Sequence, residues 1–160
     1  MRTPTGHIRE NGNDTIRILM VEDFAPWHRL VTSILEKEPG VHVVCKVTDG
    51  LEAVQKAEEL KPDLVLLDIG LPKLNGIEAA RRIRQLSPSS KIVFLSQNND
   101  HDVVRAALGT GASGYIQKTN VLSELLLAVD AVLRGEQFVG SSLNGFKFTD
   151  SLRTEAPSLP

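Results

Sequence analysis

The chain has 160 residues, 41% of them hydrophobic, and a formal net charge of -2. That length suits one globular domain with a real core and leaves little room for a second, while the charge excludes a protein-wide basic footprint for nucleic acid or anionic lipid. No uninterrupted apolar stretch is long enough to span a bilayer, and the polar start, residues 1–15, lacks the apolar centre of a signal peptide, so the expected location is cytoplasmic.

Strand-like and helix-like segments alternate along the chain. Ile18-Leu19-Met20-Val21 is a short apolar run ending in Glu22-Asp23. Pro26 suits a first helical turn, and Trp27, Leu30, Val31, Ile34 and Leu35 then fall on one helical face, stopped by Gly40. Residues 41–47 alternate as a strand, with the single cysteine, Cys45, reading as a small hydrophobe that has no internal disulfide partner. Asp49-Gly50 turns into a stripe of Leu51, Val54, Ala57 and Leu60, which Pro62 ends. Residues 63–67 form the third strand, closed by Asp68. Leu71-Pro72 makes a loop, and Asn75-Gly76 opens a helix that points Ile77, Ala80 and Ile83 inward. Ser87-Pro88-Ser89-Ser90 breaks that helix before a fourth strand, 91–95, which ends in Ser96.

A polar loop, Gln97-Asn98-Asn99-Asp100, leads to the weakest helical stripe, 102–108. The fifth strand, 114–117, ends in Lys118, and Leu122, Leu125, Leu126, Val129, Val132 and Leu133 give a clear last stripe closed by Gly135. Gly109-Thr110-Gly111-Ala112-Ser113-Gly114 satisfies a dinucleotide-binding spacing, but a helix precedes it and a strand follows, the reverse of what that fingerprint needs. His7, His28, His42 and His101 show no ligand spacing. Five strands alternating with five helices predict an α/β, flavodoxin-like doubly wound (βα)5 parallel sheet with strand order 2-1-3-4-5.

In such sheets the ligand crevice lies outside the carboxyl ends of the strands. That edge collects Glu22, Asp23 and Asp68, the hydroxyl of Ser96 and the amine of Lys118. Three close carboxylates raise one another's pKa or require a cation, and a small acidic cluster suits Mg2+, which keeps waters and accepts phosphate oxygens. An ammonium and a hydroxyl opposite a carboxylate suit capture of a phosphoryl group: carboxylate as nucleophile, cations on the equatorial oxygens, hydroxyl bonding one of them.

The segments Ile18-Leu19-Met20-Val21-Glu22-Asp23, DLVLLDIGLPKLNGIEAARRIR from Asp63, KIVFLS from Lys91 and GASGYIQK from Gly111 resemble the receiver domain of two-component response regulators. The resemblance covers residues 16–134. It implies that Asp68 is the phospho-acceptor, that Glu22, Asp23, Asp68 and the backbone carbonyl of Gly70 bind Mg2+, and that Lys118 and Ser96 contact the phosphoryl group. Ser96 and Tyr115 would form the switch pair. It also implies a histidine kinase or phosphotransfer protein as donor, self-catalysed phosphoryl transfer with slow autodephosphorylation, and output by dimerisation or effector binding through the fourth helix, fifth strand and fifth helix. A free-standing hydrolase is not expected, because Gly70 stands where a second acid would follow the nucleophile.

Thr119 after Lys118, and the stretch Arg134-Gly135-Glu136-Gln137-Phe138-Val139, resemble the NarL/LuxR-type subgroup and the start of its linker to a DNA-binding domain. The expected organisation is a flexible N-terminal extension, 1–15, a receiver domain, 16–135, and a linker-like tail, 136–160, with no nucleic-acid or membrane contact by this chain itself. Phe138, Phe146 and Phe148 would pack the tail on the body. Gln97 is bulkier than the small residue that usually follows the hydroxyl. Two alternatives therefore stay open: an interaction module that works without phosphate, and the N-terminal part of a DNA-binding response regulator.

Overall fold

The computed structural model describes residues 15–143. All but the last residue of the expected N-terminal extension lies outside them, as do residues 144–160 with Phe146 and Phe148. The strands are β1 (Ile16–Val21), β2 (Val41–Val47), β3 (Leu64–Leu67), β4 (Lys91–Ser96), β5 (Gly114–Gln117) and β6 (Phe138–Val139). They form one sheet in the order β2-β1-β3-β4-β5-β6, with every neighbouring pair parallel. The helices are α1 (Ala25–Glu36), α2 (Gly50–Leu60), α3 (Gly76–Leu86), α4 (His101–Leu108) and α5 (Val121–Leu133). Among the described residues, no helix is long and apolar enough to cross a membrane.

The period-two geometry of the strands divides the core into two layers. Leu19, Val21, Val65 and Leu67 face α2, α3 and α4, meeting Ala53, Ala57, Ala80, Ile83 and Val104. Ile18, Met20, Leu64 and Leu66 face α1 and α5, meeting Val31, Leu35, Leu125, Val129 and Val132. All four residues of β3 are fully buried. Such a strand has no solvent face, which is why it reads as a continuous apolar run. Each side chain of this kind contributes about 1.5–3 kcal/mol by leaving water.

Helix starts follow local chemistry. The side chains of Asp49, Asn75 and Asp100 accept hydrogen bonds from the backbone N–H groups of Glu52, Glu78 and Asp102 at the starts of α2, α3 and α4. Pro26 lies in the first turn of α1, where its missing N–H costs no hydrogen bond. Each of two predicted stripes has its first residue in solvent. Leu122 is 76% exposed, while Leu125, Val129 and Val132 of α5 are buried as predicted, together with Val121 and Ala128. Leu51 is likewise exposed, and α2 packs on the core through Ala53 and Ala57, whose small side chains allow close packing.

The chain after Gly135, expected as the start of a tail, continues the body as β6 and a 3-10 turn at Ser141–Leu143. Phe138 N–H donates to the Ser113 carbonyl and Gly140 N–H to that of Tyr115, at 3.0 and 2.9 Å. Leu143 is buried in the first core layer. Glu124 of α5 accepts from both the backbone N–H and the hydroxyl of Ser141.

Candidate functional site

Sheet register assembles the predicted residues. Val21 pairs with Leu67, and Asp68 N–H donates to the Val21 carbonyl at 3.1 Å, so Glu22-Asp23 and Asp68 leave adjacent strands side by side. Leu67 pairs with Phe94, and Ser96 with Gln117, which brings Ser96 and Lys118 to the same edge. Asp68, Gly70, Ser96 and Lys118 line one cleft of about 500 Å3. Glu22, Asp23, Asp68 and Lys118 line a second, of about 380 Å3. The strand that carries no predicted site residue, β2, lies at the far edge of the sheet.

One buried ammonium lies between two carboxylates. Lys118 Nζ is 2.7 Å from Glu22 Oε1 and 3.4 Å from Asp68 Oδ2. The remaining oxygens accept from backbone: Glu22 Oε2 from Phe24 N–H at 3.1 Å and Asp68 Oδ1 from Ile69 N–H at 2.8 Å. Burial nevertheless holds the Glu22 carboxyl above the ordinary range, since loss of water outweighs the Lys118 contact and the nearby Asp68 charge adds to the rise. Ligand oxygens of Glu22, Asp23 and Asp68 lie within 4.8 Å of one another. Among the described residues this is the one group of three or more side chains able to hold a metal ion. An all-oxygen, all-acid set with a single lysine to balance it fits a hard divalent cation.

The hydroxyl side of the site is tied to the loop before α4. Ser96 Oγ accepts from Asn98 N–H at 3.0 Å, and the Tyr115 hydroxyl donates to the Asn98 carbonyl at 2.8 Å. The Tyr115 ring is fully buried beside Phe94, their centroids 6.2 Å apart. Burial raises the Tyr115 pKa, partly opposed by a hydrogen bond with Ser96.

Gly76 fixes the other wall. Its N–H donates to the Ile69 carbonyl at 2.7 Å, and a Cβ there would lie 2.0 Å from the Asp68 carbonyl oxygen. The start of α3 can rest against the Asp68 backbone only because no side chain intervenes. Lys73 turns the intervening loop with φ 69°.

Two functional neighbours escape sequence reasoning. Trp27, which reads as part of an apolar stripe, presents its ring 5.1 Å from Lys118 Nζ and lines the acidic cleft. Gln117 bridges two segments: its Nε2 donates to the Gln97 carbonyl at 3.3 Å, and its Oε1 accepts from the Ser142 hydroxyl at 2.6 Å. Nothing local in the sequence signals either contact, since each joins segments far apart in the chain. Gln97, bulkier than the residue usual after the hydroxyl, lines both clefts.

Known proteins place this geometry. Residues 18–130 match the model of the response regulator receiver domain family. The chain is 38% identical over 124 residues to the transcriptional regulatory protein DegU of Brevibacillus brevis, covering 78% of this chain and 52% of that protein. It is 33% identical over 126 residues to the nitrate/nitrite response regulator NarL of Escherichia coli K12, covering 79% and 58%. The chain therefore spans little more than half the length of these relatives. Among solved structures, a LuxR-family two-component response regulator from Aurantimonas superposes with a TM-score of 0.79 at 30% identity, covering 88% of this chain and 99% of that one. The response regulator domain of Thermotoga maritima CheB gives 0.66 at 32%, covering 76% and 95%. The chain belongs to the receiver domain family of two-component response regulators.

Proposed function

We propose that this receiver domain is a phosphoryl-accepting switch in which Asp68 is the nucleophile. The observation that carries this reading is the contact of Lys118 with both Glu22 and Asp68 at the floor of the acidic cleft. The donor would be a phosphohistidine on a histidine kinase or phosphotransfer protein. Asp68 Oδ2 forms the new O–P bond as the P–N bond breaks, the electron pair returns to the imidazole, and that ring takes up a proton. Lys118 moves from Glu22 onto a phosphoryl oxygen, and Ser96 Oγ donates to another after giving up the Asn98 contact. When bound by Glu22, Asp23, Asp68 and the Gly70 carbonyl, Mg2+ supplies positive charge to the same oxygens.

The output follows from the hydrogen bonds around Ser96. Asn98 is bonded to both Ser96 and Tyr115, so drawing Ser96 toward the phosphoryl group alters the seat of Tyr115 and the loop before α4. A population shift of the α4, β5 and α5 surface, read by dimerisation or an effector in the cytoplasm, is the proposed signal. We assign the receiver body to residues 16–143, with β6 and the following turn included.

Incubation with acetyl phosphate and Mg2+, or with a cognate kinase, is expected to add one phosphoryl group by intact mass, and Asp68→Asn to abolish it. No adduct from either donor would falsify the reading. Gln97 beside both clefts favours a second reading, an interaction module that works without phosphate. Partner binding that ignores both beryllofluoride and Asp68→Asn would select it.

A further inference from the structure

Among the described residues the Lys118 ammonium meets two carboxylates and one aromatic ring, and only the ring keeps its role when a phosphoryl group arrives. The carboxylates are those of Glu22 and Asp68, at 2.7 and 3.4 Å. The ring is that of Trp27, 5.1 Å from Nζ to centroid. On the proposed function, Asp68 would accept the phosphoryl group and Glu22 would hold the metal ion, so neither carboxylate would stay free to position the ammonium. The indole does not titrate, carries no net charge and offers no oxygen to a cation. Its negative face attracts an ammonium without competing for the phosphoryl group.

The fold holds that ring in place independently of the acids. Trp27 lies in the first turn of α1, its N–H donating to the Phe24 carbonyl at 3.0 Å, and its side chain packs on the α1 and α5 core layer. Lys118 follows the end of β5, on the same edge of the sheet, and is itself buried. We infer that Trp27 is a positioning residue for phosphoryl transfer: its ring face keeps the Lys118 ammonium beside Asp68 while Glu22 releases it. The inference rests on the assignment of Asp68 and Lys118 above.

Three variants in the full chain separate an aromatic role from a packing role. Trp27→Phe keeps a ring face, Trp27→Leu keeps apolar volume without one, and Trp27→Ala keeps neither. The maximal rate of phosphoryl uptake from acetyl phosphate is expected to fall about fivefold in the Leu variant and further in the Ala variant, with the Phe variant within about twofold of the unaltered chain. Magnesium affinity is expected to stay unchanged in the Phe and Leu variants, since Trp27 offers the ion no ligand. Equal rates in the Leu and Phe variants, or losses that track thermal stability alone, overturn the inference.

A second readout does not depend on phosphoryl chemistry. Trp27 is the single tryptophan of the chain, so its emission reports the contact directly. Lys118→Met is expected to change that emission before any donor is added. Unchanged emission overturns the inference even if phosphorylation is confirmed. If the unaltered chain takes no phosphoryl group while the emission responds, the assignment of Asp68 fails, and the positioning role fails with it.

Discussion

The two edges of the sheet are finished in different ways. The outer edge of β2 has no further strand among the described residues, and it presents exposed His42, Val44 and Lys46. Lysine on an edge opposes pairing with another chain, so this side is protected by charge. The edge of β5 is covered: β6 lies along it, Glu124 holds Ser141, Gln117 holds Ser142, and Leu143 is buried. The difference tracks chemistry. β2 contributes no side chain to the site, whereas β5 carries Tyr115 and delivers Lys118, whose reach to Asp68 depends on a strand that does not drift.

The sharpest challenge to this contrast is removal of the Glu124 carboxylate. Glu124→Ala strips acceptors from the Ser141 N–H and hydroxyl, and about 2 kcal/mol of stability is expected to be lost in urea unfolding. Ser142→Ala removes one hydrogen bond to Gln117 and is expected to cost about 1 kcal/mol. On the other edge, Lys46→Ala is expected to change stability by less than about 0.5 kcal/mol and to show instead as increased self-association. Equal losses at the two edges would remove the distinction.

Occupancy of the site provides a finer comparison. Gln117 connects the Gln97 carbonyl to Ser142, so a phosphoryl mimic that draws the Ser96 loop inward is expected to loosen the strap. Amide exchange at residues 138–143 should rise with beryllofluoride and Mg2+, while that at residues 41–47 stays constant. The smallest expected effect concerns Tyr115, the chain's single tyrosine. Burial holds its proton above the ordinary value of 10.0, so an absorbance titration should report ionisation above that pH. The unfolded chain ionises first, and this contribution to stability is present below pH 10.0 and lost as pH rises through the folded value. Tyr115→Phe should abolish that dependence.

Five strands, their order and the acidic cluster were legible because β1, β3, β4 and β5 are short apolar runs that each end in a polar residue of the cleft, while β2 alternates as an edge strand does. Glu22, Asp23, Asp68, Ser96 and Lys118 inherit their meeting point from strand direction alone. β6 was not legible. Two residues carry no periodicity, and Phe138 and Val139 are ordered by hydrogen bonds to β5 and by Glu124, far away in sequence. Trp27 was placed correctly on α1, yet its neighbour Lys118 is known only once β5 is set beside the other strands. The exposure of Leu122 at the start of α5 has the same origin: Leu122 and Val121 are both apolar, and the packing of the helix on the sheet decides which is covered.

Gly76 makes a substitution outside the acidic cluster act on the backbone of Asp68. With only 2.0 Å between a built Cβ and the Asp68 carbonyl oxygen, even alanine must displace either the helix or the acceptor's backbone. In a mutational scan scored separately for abundance and for signalling, this position should therefore behave as part of the reactive centre. Relief of that overlap takes a backbone displacement of about 1 Å beside Asp68, so Gly76→Ala is expected to disturb the acidic cleft although residue 76 contributes no side chain to it.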